Sequence, residues 1–529
     1  MTISRRNFLK SAGIASAVML ASTPAGLTRN AVAHAADAKQ GKPGKKPNLL
    51  IVFPDQMRAT GMGFVGVEPV ITPNLDKLAK QSMVFTQAVS NHPVCSPYRA
   101  MLMTGKYSFS NKVNWNCNSG TTRLNCELQK SDTCFSDVLN NQGYSTGYIG
   151  KWHLDSPRAP FVKTYNNRNP KCAWNEWCSP DRRHGFQFWH AYGTYDMHNS
   201  PKYWKTDAKR SELVQSPKWG PEYEADLAIE FLKNTGGQYR SSDKPFCLVV
   251  SMNPPHGPHN QVPRRYVDMY KGKKWQDLQT LGSFDRKSTS WVVRRGKKDL
   301  KNYFAQITGV DDQFGRILKT LDDLKLADDT LVLFTADHGH SLGCHEENSK
   351  NHPHEESLIV PFMVRYPGKI KPGKSDILIS APDVAPTLLD LLGQKPNTPA
   401  AMEGTSYAPA ILGKKQSKPS SAFYFRAPKG LGDDYLGYGE RGVRTNTHTL
   451  VVYKYLKKHG KKKFALNETA LLYDNRKDPW QLKNIASDNQ ALIDKLIDEE
   501  IIPWMRKTKD PWLGVHWKQR AAKLSPARK

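Results

Sequence analysis

Cys95 stands two residues before Pro97 and four before Arg99 in the stretch His92-Pro93-Val94-Cys95-Ser96-Pro97-Tyr98-Arg99. Proline suits the first turn of a helix, where its missing N–H costs nothing, so the spacing predicts a helix opening at Cys95. Free N–H groups and the dipole favour an anion at such a start. Arg99, one turn further on, returns a guanidinium to the same face. Thr104-Gly105 reads as the helix end. On these grounds the segment is an anion site built around one sulfur. A buried structural Cys beside a helix start would share the same short pattern.

Four apolar runs elsewhere end in polar clusters. Residues 48–53 lead into Asp55-Gln56, 144–149 into Lys151 and His153, 246–252 into His256, and 330–334 into Asp337-His338. Groups just past the carboxyl ends of buried strands lie where open α/β sheets bind ligands. Asp55, the Gln56 carbonyl and Asp337 are hard oxygen donors, and His338 adds a borderline ligand. Such a set suits Ca²⁺, Mg²⁺ or Mn²⁺ over a soft metal. Arg99, Lys151, His153, His256 and Lys350 supply positive charge or donors around an anion. One His or Lys would have to protonate a leaving group.

Extended through Ala100-Met101-Leu102-Met103-Thr104-Gly105, the Cys95 segment resembles the signature of type I sulfatases. The likeness continues in Gly150-Lys151-Trp152-His153, Asn253-Pro254-Pro255-His256, Asp337-His338-Gly339, Lys350 and Glu355-Glu356-Ser357-Leu358-Ile359-Val360-Pro361. It reaches the tail at Leu472-Tyr473-Asp474 with Asp478-Pro479. The resemblance implies that a maturase oxidises Cys95 to formylglycine, whose hydrate is the nucleophile, and that Arg99 holds it. It places Asp55, Gln56, residue 95, Asp337 and His338 around Ca²⁺, with Mg²⁺ or Mn²⁺ less favoured. Lys151, His256 and Lys350 would bind the sulfate, and His153 would assist at the formylglycine. His256 is the preferred leaving-group acid, with Lys350 also open. Two departures stand out. Many relatives carry Asp-Asp where this chain has Asp55-Gln56, so one anionic ligand is lost; the Gln56/His338 combination also occurs in relatives cleaving choline sulfate or phosphonate and phosphate esters. Gly343-Cys344-His345-Glu346 and His354 are unusual, and fall where substrate contacts are expected.

The elements that must position these groups alternate as strand and helix. Helical patterning covers 72–81, 135–142, 222–234, 300–324 and 384–392, and a further strand is expected at 358–365. This predicts an α/β fold, a large mostly parallel sheet sandwiched by helices, which the resemblance makes alkaline-phosphatase-like. After residue 400 short strands joined by turns, then a helix at 491–505, predict a smaller α+β domain with an antiparallel sheet. The expected division is a signal at 1–35, a linker at 36–46, a catalytic domain at 47–400 and the C-terminal region at 401–529. Residues 264–301 read as a basic, irregular surface insertion, and 457–463 as a solvated hairpin loop or a polyanion contact. Between 155 and 204, Trp, Tyr, Asn and Arg crowd together with little periodicity, as a sugar subsite or as a loop packed on itself. Arg182 and Arg183 in that segment are expected to meet a polymeric substrate.

The chain has 529 residues and a net charge of +28. Arg5-Arg6 before the apolar run 12–27, and Ala33-His34-Ala35 as a small-x-small cleavage site, resemble a bacterial twin-arginine signal. The run is too short and too interrupted by Gly, Ser and Pro to span a membrane, so no stable insertion is expected. The leader carries Arg5, Arg6, Lys10 and Arg29 and no acid, so most of the basic excess stays with the mature protein. That excess favours polyanions. No nucleic-acid motif is visible, and export to the periplasm or beyond makes a sulfated polysaccharide or oligosaccharide the better partner. Cys117 with Cys126, and Cys172 with Cys178, are close enough in sequence for local bridges, and no C-x-x-C thiolate zinc pair occurs. The expectation is an exported sulfatase of sulfated carbohydrate. Its rivals are a phosphonate or phosphate ester hydrolase using the same formylglycine, and a catalytically inactive polyanion-binding protein.

Overall fold

Strands β1 (Asn48–Val52), β7 (Phe246–Ser251) and β8 (Thr330–Thr335) are apolar or small at nearly every position and buried throughout. Side chains on both faces must therefore be covered, as in a parallel sheet flanked by helices. The computed structural model describes residues 46–169, 171–427, 439–459 and 463–515. The signal and all of the linker but its last residue, with the tip of the 457–463 run, lie outside the described residues. The remaining strands of the large sheet are β2 (Met83–Phe85), β3 (Ser145–Lys151), β4 (Phe188–Tyr192), β5 (Lys202–Lys205), β6 (Val214–Gln215), β9 (Phe362–Arg365) and β10 (Gly373–Ser375). Their spatial order is β10-β2-β9-β8-β1-β7-β3-β4-β5-β6. The centre, β8-β1-β7-β3-β4, is parallel throughout, with Val52 paired to both Val250 and Phe334. Antiparallel pairs lie towards the edges, at β8–β9, β2–β9, β4–β5 and β5–β6.

Two local expectations need correction. The long helix runs Trp291–Asp323, starting well before residue 300. Ser290 caps it by accepting a hydrogen bond from Val293 N–H at 3.3 Å, and Gly296 lets the helix approach Leu342 closely; a Cβ there would lie 2.3 Å from the Leu342 carbonyl. The basic residues of its first turns are ordinary helix formers that masked the pattern. The rest of the supposed insertion holds short helices at Arg264–Asp268 and Trp275–Leu278. Likewise 358–365 is not one strand: Glu355–Leu358 is a helical turn, and β9 begins only after Pro361, which has no N–H for a ladder.

A second sheet, β11 (Ser421–Arg426), β12 (Gly439–Thr445), β13 (His448–His459) and β14 (Lys463–Asp474), is antiparallel in that order. Side chains alternate across it, as the two-residue period requires. Phe423, Phe425, Val443 and Leu450 pack against Ile493, Ile501 and Met505 of the C-terminal helical run and against Trp512 beyond it. Ala422, Tyr424 and Val451 instead face Val89, Leu358, Ile359 and Leu378. That helical run is Gln490–Leu496, a π turn at Ile497–Ile501, and Ile502–Lys507. The π turn ends two residues before Pro503, whose missing N–H breaks the regular ladder. All eight cysteines are free thiols, including the two pairs whose spacing allowed local bridges. Among the described residues no helix is long and apolar enough to cross a membrane.

Beneath β3, Glu224 of the helix Gly220–Lys233 is fully buried and accepts hydrogen bonds from Tyr192 and Tyr203 hydroxyls at 3.2 and 3.0 Å. Burial pushes its carboxyl from the usual 4.5 up to about 8, against the opposing effect of those two hydroxyls. A folded-state value above the unfolded one means that the folded protein binds the extra proton. This stability contribution is full below about pH 4.5 and is lost as pH rises through about 8. Glu224→Gln should therefore flatten the fall in unfolding free energy over that window in denaturant titrations taken across the pH range.

Candidate active site

Val94 is extended (φ −143°, ψ 143°), the helix Cys95–Thr104 starts immediately after it, and Gly105 closes the helix in the left-handed region at φ 63°. All ten helical residues are buried, because the helix stands over the carboxyl ends of β8, β1, β7 and β3. Those ends deliver Asp337 and His338, Asp55 and Gln56, Asn253 and His256, and Lys151 and His153 respectively. Cys95 Sγ lies 2.9 Å from Lys350 Nζ, 3.3 Å from His338 Nε2, 3.7 Å from Asp55 Oδ1 and 3.9 Å from Lys151 Nζ. Gln56 and His153 both hold positive φ, 67° and 55°. For side chains of this size such backbone is costly, and it concentrates where a site over-determines it.

Arg99 ties the floor together. Its Nη2 meets Asp55 Oδ2 at 3.1 Å and Asp337 Oδ2 at 2.9 Å, and Nε donates to the same Asp337 oxygen at 3.1 Å. Nη1 donates to the Lys151 carbonyl and to Ser251 Oγ, each at 2.7 Å. Lys151 Nζ contacts Asp55 Oδ2 at 2.7 Å and donates to Asn253 Oδ1 at 3.0 Å. Gly150, at φ 98°, permits this turn: a Cβ would lie 2.1 Å from the Ser251 carbonyl. Burial alone would raise Asp55, but Lys151, Lys350 and His256 outweigh it and hold the carboxyl well below its usual range. Burial and Asp55 push Asp337 the other way, up. Burial and Asp55 also push the Cys95 thiol up, yet Lys151, Lys350 and His338 prevail and hold it low. Residue 95 thus occupies a pocket that favours negative charge on its side chain.

His153 Nε2 pairs with the Cys117 carbonyl at 3.1 Å, and the His153 carbonyl accepts from Ser96 Oγ at 2.6 Å. Burial pushes this imidazole down, leaving it neutral, with Cys95 as a hydrogen-bonding neighbour acting the other way. Above the floor opens a cavity of about 970 Å³, at the large end of ligand sites. Cys95, Lys151, His153, His256 and Lys350 line its depth; Trp115, Trp174, Arg123 and Arg426 belong to its walls.

A hard divalent cation fits this donor set. Ligand atoms of Asp55, Cys95, Asp337 and His338 all lie within 4.8 Å of one another, and all four residues are buried. Gln56 Oε1 accepts from Lys350 Nζ at 3.2 Å, the nitrogen that also meets Cys95 Sγ, whereas the Gln56 main-chain carbonyl is taken by the Tyr303 hydroxyl at 3.0 Å. Burial lowers His338, but Asp337 outweighs it and raises the imidazole. Two carboxylates in one buried pocket therefore draw positive charge from every side, the condition a divalent ion would satisfy.

The catalytic and metal candidates Asp55, Gln56, Cys95, Arg99, Lys151, His153, His256, Asp337, His338 and Lys350 converge here. Cys344, His345 and His354, expected among substrate contacts, do not line the cleft: Cys344 is buried, and His345 stacks on His354 with Glu356 at 3.4 Å. Nor do Arg182 and Arg183 reach it. Arg182 turns inward to Asp155, to Glu127 and to the Leu128 carbonyl; Arg183 is buried, bonded to the Cys178 and Thr206 carbonyls with Trp189 beneath it. They brace the loop instead of meeting a polymer. Residues given no role from the sequence include Ser251, Arg123, Asp196 and Arg426, and Asn253, which was quoted only as part of a motif. Asn253 had a readable signal, standing with His256 past the end of β7. Arg426 had none, because it comes from the second sheet.

This floor on this sheet suits hydrolysis of an ester of a tetrahedral oxyanion. The chain belongs to the sulfatase family: residues 47–394 match the model of that family, and residues 343–505 match the C-terminal region of N-sulphoglucosamine sulphohydrolase. It is 36% identical over 492 residues to an endo-4-O-sulfatase of Bacteroides thetaiotaomicron, covering 88% of this chain and 93% of that protein. It is 30% identical over 445 residues to a ulvan-active sulfatase of Formosa agariphila, covering 83% and 77%. A solved structure described with the metabolism of multiple glycosaminoglycans by Bacteroides thetaiotaomicron superposes with a TM-score of 0.82 at 34% identity, covering 91% of this chain and 100% of that one.

Removing the central cation of the floor should be severe. Arg99→Met leaves Asp55 and Asp337 buried and partly unpaired, an expected loss of about 3–5 kcal/mol of stability, measurable by urea unfolding.

Proposed function

We propose that this sulfatase removes sulfate from a sulfated polysaccharide or its oligosaccharides, in a bacterial periplasm or outside the cell, using formylglycine made from Cys95 and a bound Ca²⁺. The catalytic region is 47–400, with 401–529 completing the cleft. The observation that carries the reading is the placement of Cys95 between Lys350, Lys151 and His338 at the bottom of a cleft walled by indoles and guanidinium groups. Cations at the bottom suit a sulfate, and indole faces with cations above suit a charged sugar chain. The relatives named for an endo-4-O-sulfatase and for ulvan activity support the same substrate class.

Formylglycine at position 95 supplies, as its hydrate, a hydroxyl to attack sulfur and a second one to expel sulfate. The cation, when bound, neutralises charge on the sulfate and acidifies neighbouring hydroxyls; Asp55, Gln56, Asp337 and His338 would hold it. Arg99 fixes the floor and offsets the two carboxylates. Lys151 and Lys350 bind sulfate oxygens and stabilise the charge that moves across sulfur. His256 stands at the cleft side of the floor and gives a proton to the departing sugar oxygen. His153, neutral by burial, takes a proton at residue 95 in the second half of the reaction.

The direct test is release of sulfate from a panel of sulfated glycans, beside phosphodiester and phosphonate esters, with protein matured in a host carrying the maturase. Sulfated glycans should be turned over, and the Cys95 peptide should lose sulfur and two hydrogens and gain oxygen. Cys95→Ala should abolish turnover with the melting temperature retained. Faster hydrolysis of phosphonates than of any sulfate would overturn the substrate assignment.

The cleft walls make a separate prediction. Trp174→Ala should raise KM for an oligosaccharide by roughly five- to thirtyfold, the ~1–2 kcal/mol of a well-packed indole, while a small aryl sulfate is nearly unaffected. Exposed Arg123→Ala should cost only a few-fold on the polymer, an effect that shrinks as added salt shortens the Debye length. Steady-state kinetics on both substrates at two salt concentrations check this.

A further inference from the structure

Asp196, in the loop after β4, is the acid nearest the His256 ring: Asp196 Oδ1 lies 3.5 Å from His256 Nδ1. The same nitrogen meets the Gly257 carbonyl at 2.7 Å. Both neighbours of Nδ1 are acceptors, so Nδ1 keeps its hydrogen, and Nε2 is the nitrogen left to exchange a proton with substrate. The main chain at His256 is held as well, its carbonyl paired with His198 Nε2 at 2.8 Å.

Asp196 is itself clamped. Asn166 Nδ2 donates to Oδ2 at 2.7 Å, and Asp196 N–H donates to Asn166 Oδ1 at 2.8 Å. Asn253 Nδ2 stands 3.5 Å from Asp196 Oδ1, while Asn253 Oδ1 accepts from Lys151 Nζ at 3.0 Å. A continuous polar chain, Lys151–Asn253–Asp196–His256, therefore joins the cation on the sulfate side to the imidazole on the leaving-group side. Burial would raise the Asp196 carboxyl, but His256, Lys151 and His198 outweigh it and keep it ionised.

We propose that Asp196 is the positioning residue of the leaving-group acid: beside the Gly257 carbonyl that holds Nδ1–H, its carboxylate keeps the His256 ring turned inward by charge and stabilises the imidazolium before it gives up the Nε2 proton. This rests on the reading of His256 as that acid. The hydroxyl at residue 95, its proton already released to solvent in the cationic pocket of Lys350 and Lys151, forms the new S–O bond as the ester S–O bond breaks, and the ester's electron pair stays on the sugar oxygen. That oxygen takes the Nε2 proton and leaves as an alcohol, and His256 becomes neutral. A sugar alkoxide is a poor leaving group and needs this proton, whereas 4-nitrophenolate scarcely does.

The test is the dependence of kcat/KM on leaving-group acidity, using aryl sulfates from 4-nitrophenyl to phenyl, plus a sulfated sugar. Asp196→Asn should lose about 10- to 100-fold on the sugar sulfate and under threefold on 4-nitrophenyl sulfate, part of the 10²–10⁴ that general acids supply. The slope should steepen towards that of His256→Ala. Asn166→Ala, which loosens the clamp and keeps the carboxylate, should give a smaller change in the same direction and serves if Asp196→Asn fails to fold. An equal loss across the series, or a loss confined to KM for the sugar, would overturn the proposal and make Asp196 a structural or sugar-binding group. A steep slope in His256→Ala with an unchanged one in Asp196→Asn and Asn166→Ala would overturn it while leaving the acid assignment intact. An unchanged slope in His256→Ala itself would remove the acid assignment and this proposal together.

Discussion

One buried guanidinium holds two carboxylates apart and together. Arg99 reaches Asp55 at the end of β1 and Asp337 at the end of β8, then Ser251 and the Lys151 carbonyl at the ends of β7 and β3. Four adjacent strands are thus fastened at one point by a side chain from the helix that carries Cys95. Charges buried this deeply are tolerated only when every partner is present and well oriented, so the arrangement demands the whole constellation at once. Because a guanidinium presents donors in a fixed fork, the same contact also sets the direction in which Cys95 points.

The parallel centre of the sheet supplies what that contact needs. All five central strands end on the same side, so groups distant in the chain, such as Asp55, Lys151, His256 and Asp337, arrive at neighbouring strand ends. Strained backbone at Gln56 and His153 lies at two of those ends. The regular interior of the sheet, buried at almost every position, is rigid enough to carry it.

How much of this was legible follows from what each residue depends on. The helix at Cys95 and its end at Gly105 rest on local rules about Pro97 and on glycine's freedom, and both were readable. The strand ends were readable because long apolar runs stop abruptly at polar groups. The start of the long helix at Trp291 was hidden, since Arg294, Arg295, Lys297 and Lys298 broke the apolar rhythm while the cap at Ser290 is a single weak letter. Arg182 and Arg183 depart from the expectation because a basic pair beside aromatics reads the same whether it faces solvent or reaches back to Asp155 and the Thr206 carbonyl. Asp196 and Arg426 matter only through partners far away in sequence, and no local pattern marks them.

The antiparallel sheet bears on the same site by a different route. Phe425 N–H donates to the Asn91 carbonyl at 3.0 Å, and Asn91 Nδ2 donates to the Phe423 carbonyl at 2.6 Å, just upstream of Cys95. Arg426, the next residue of that strand, stands in the cleft wall. The chemistry and one wall of the cleft are therefore encoded in separate stretches of the gene yet joined by hydrogen bonds through Asn91. Sequence drift in the second sheet can reshape what the cleft admits while the ionic floor beneath it stays untouched, which gives one catalytic apparatus a ready route to new substrates.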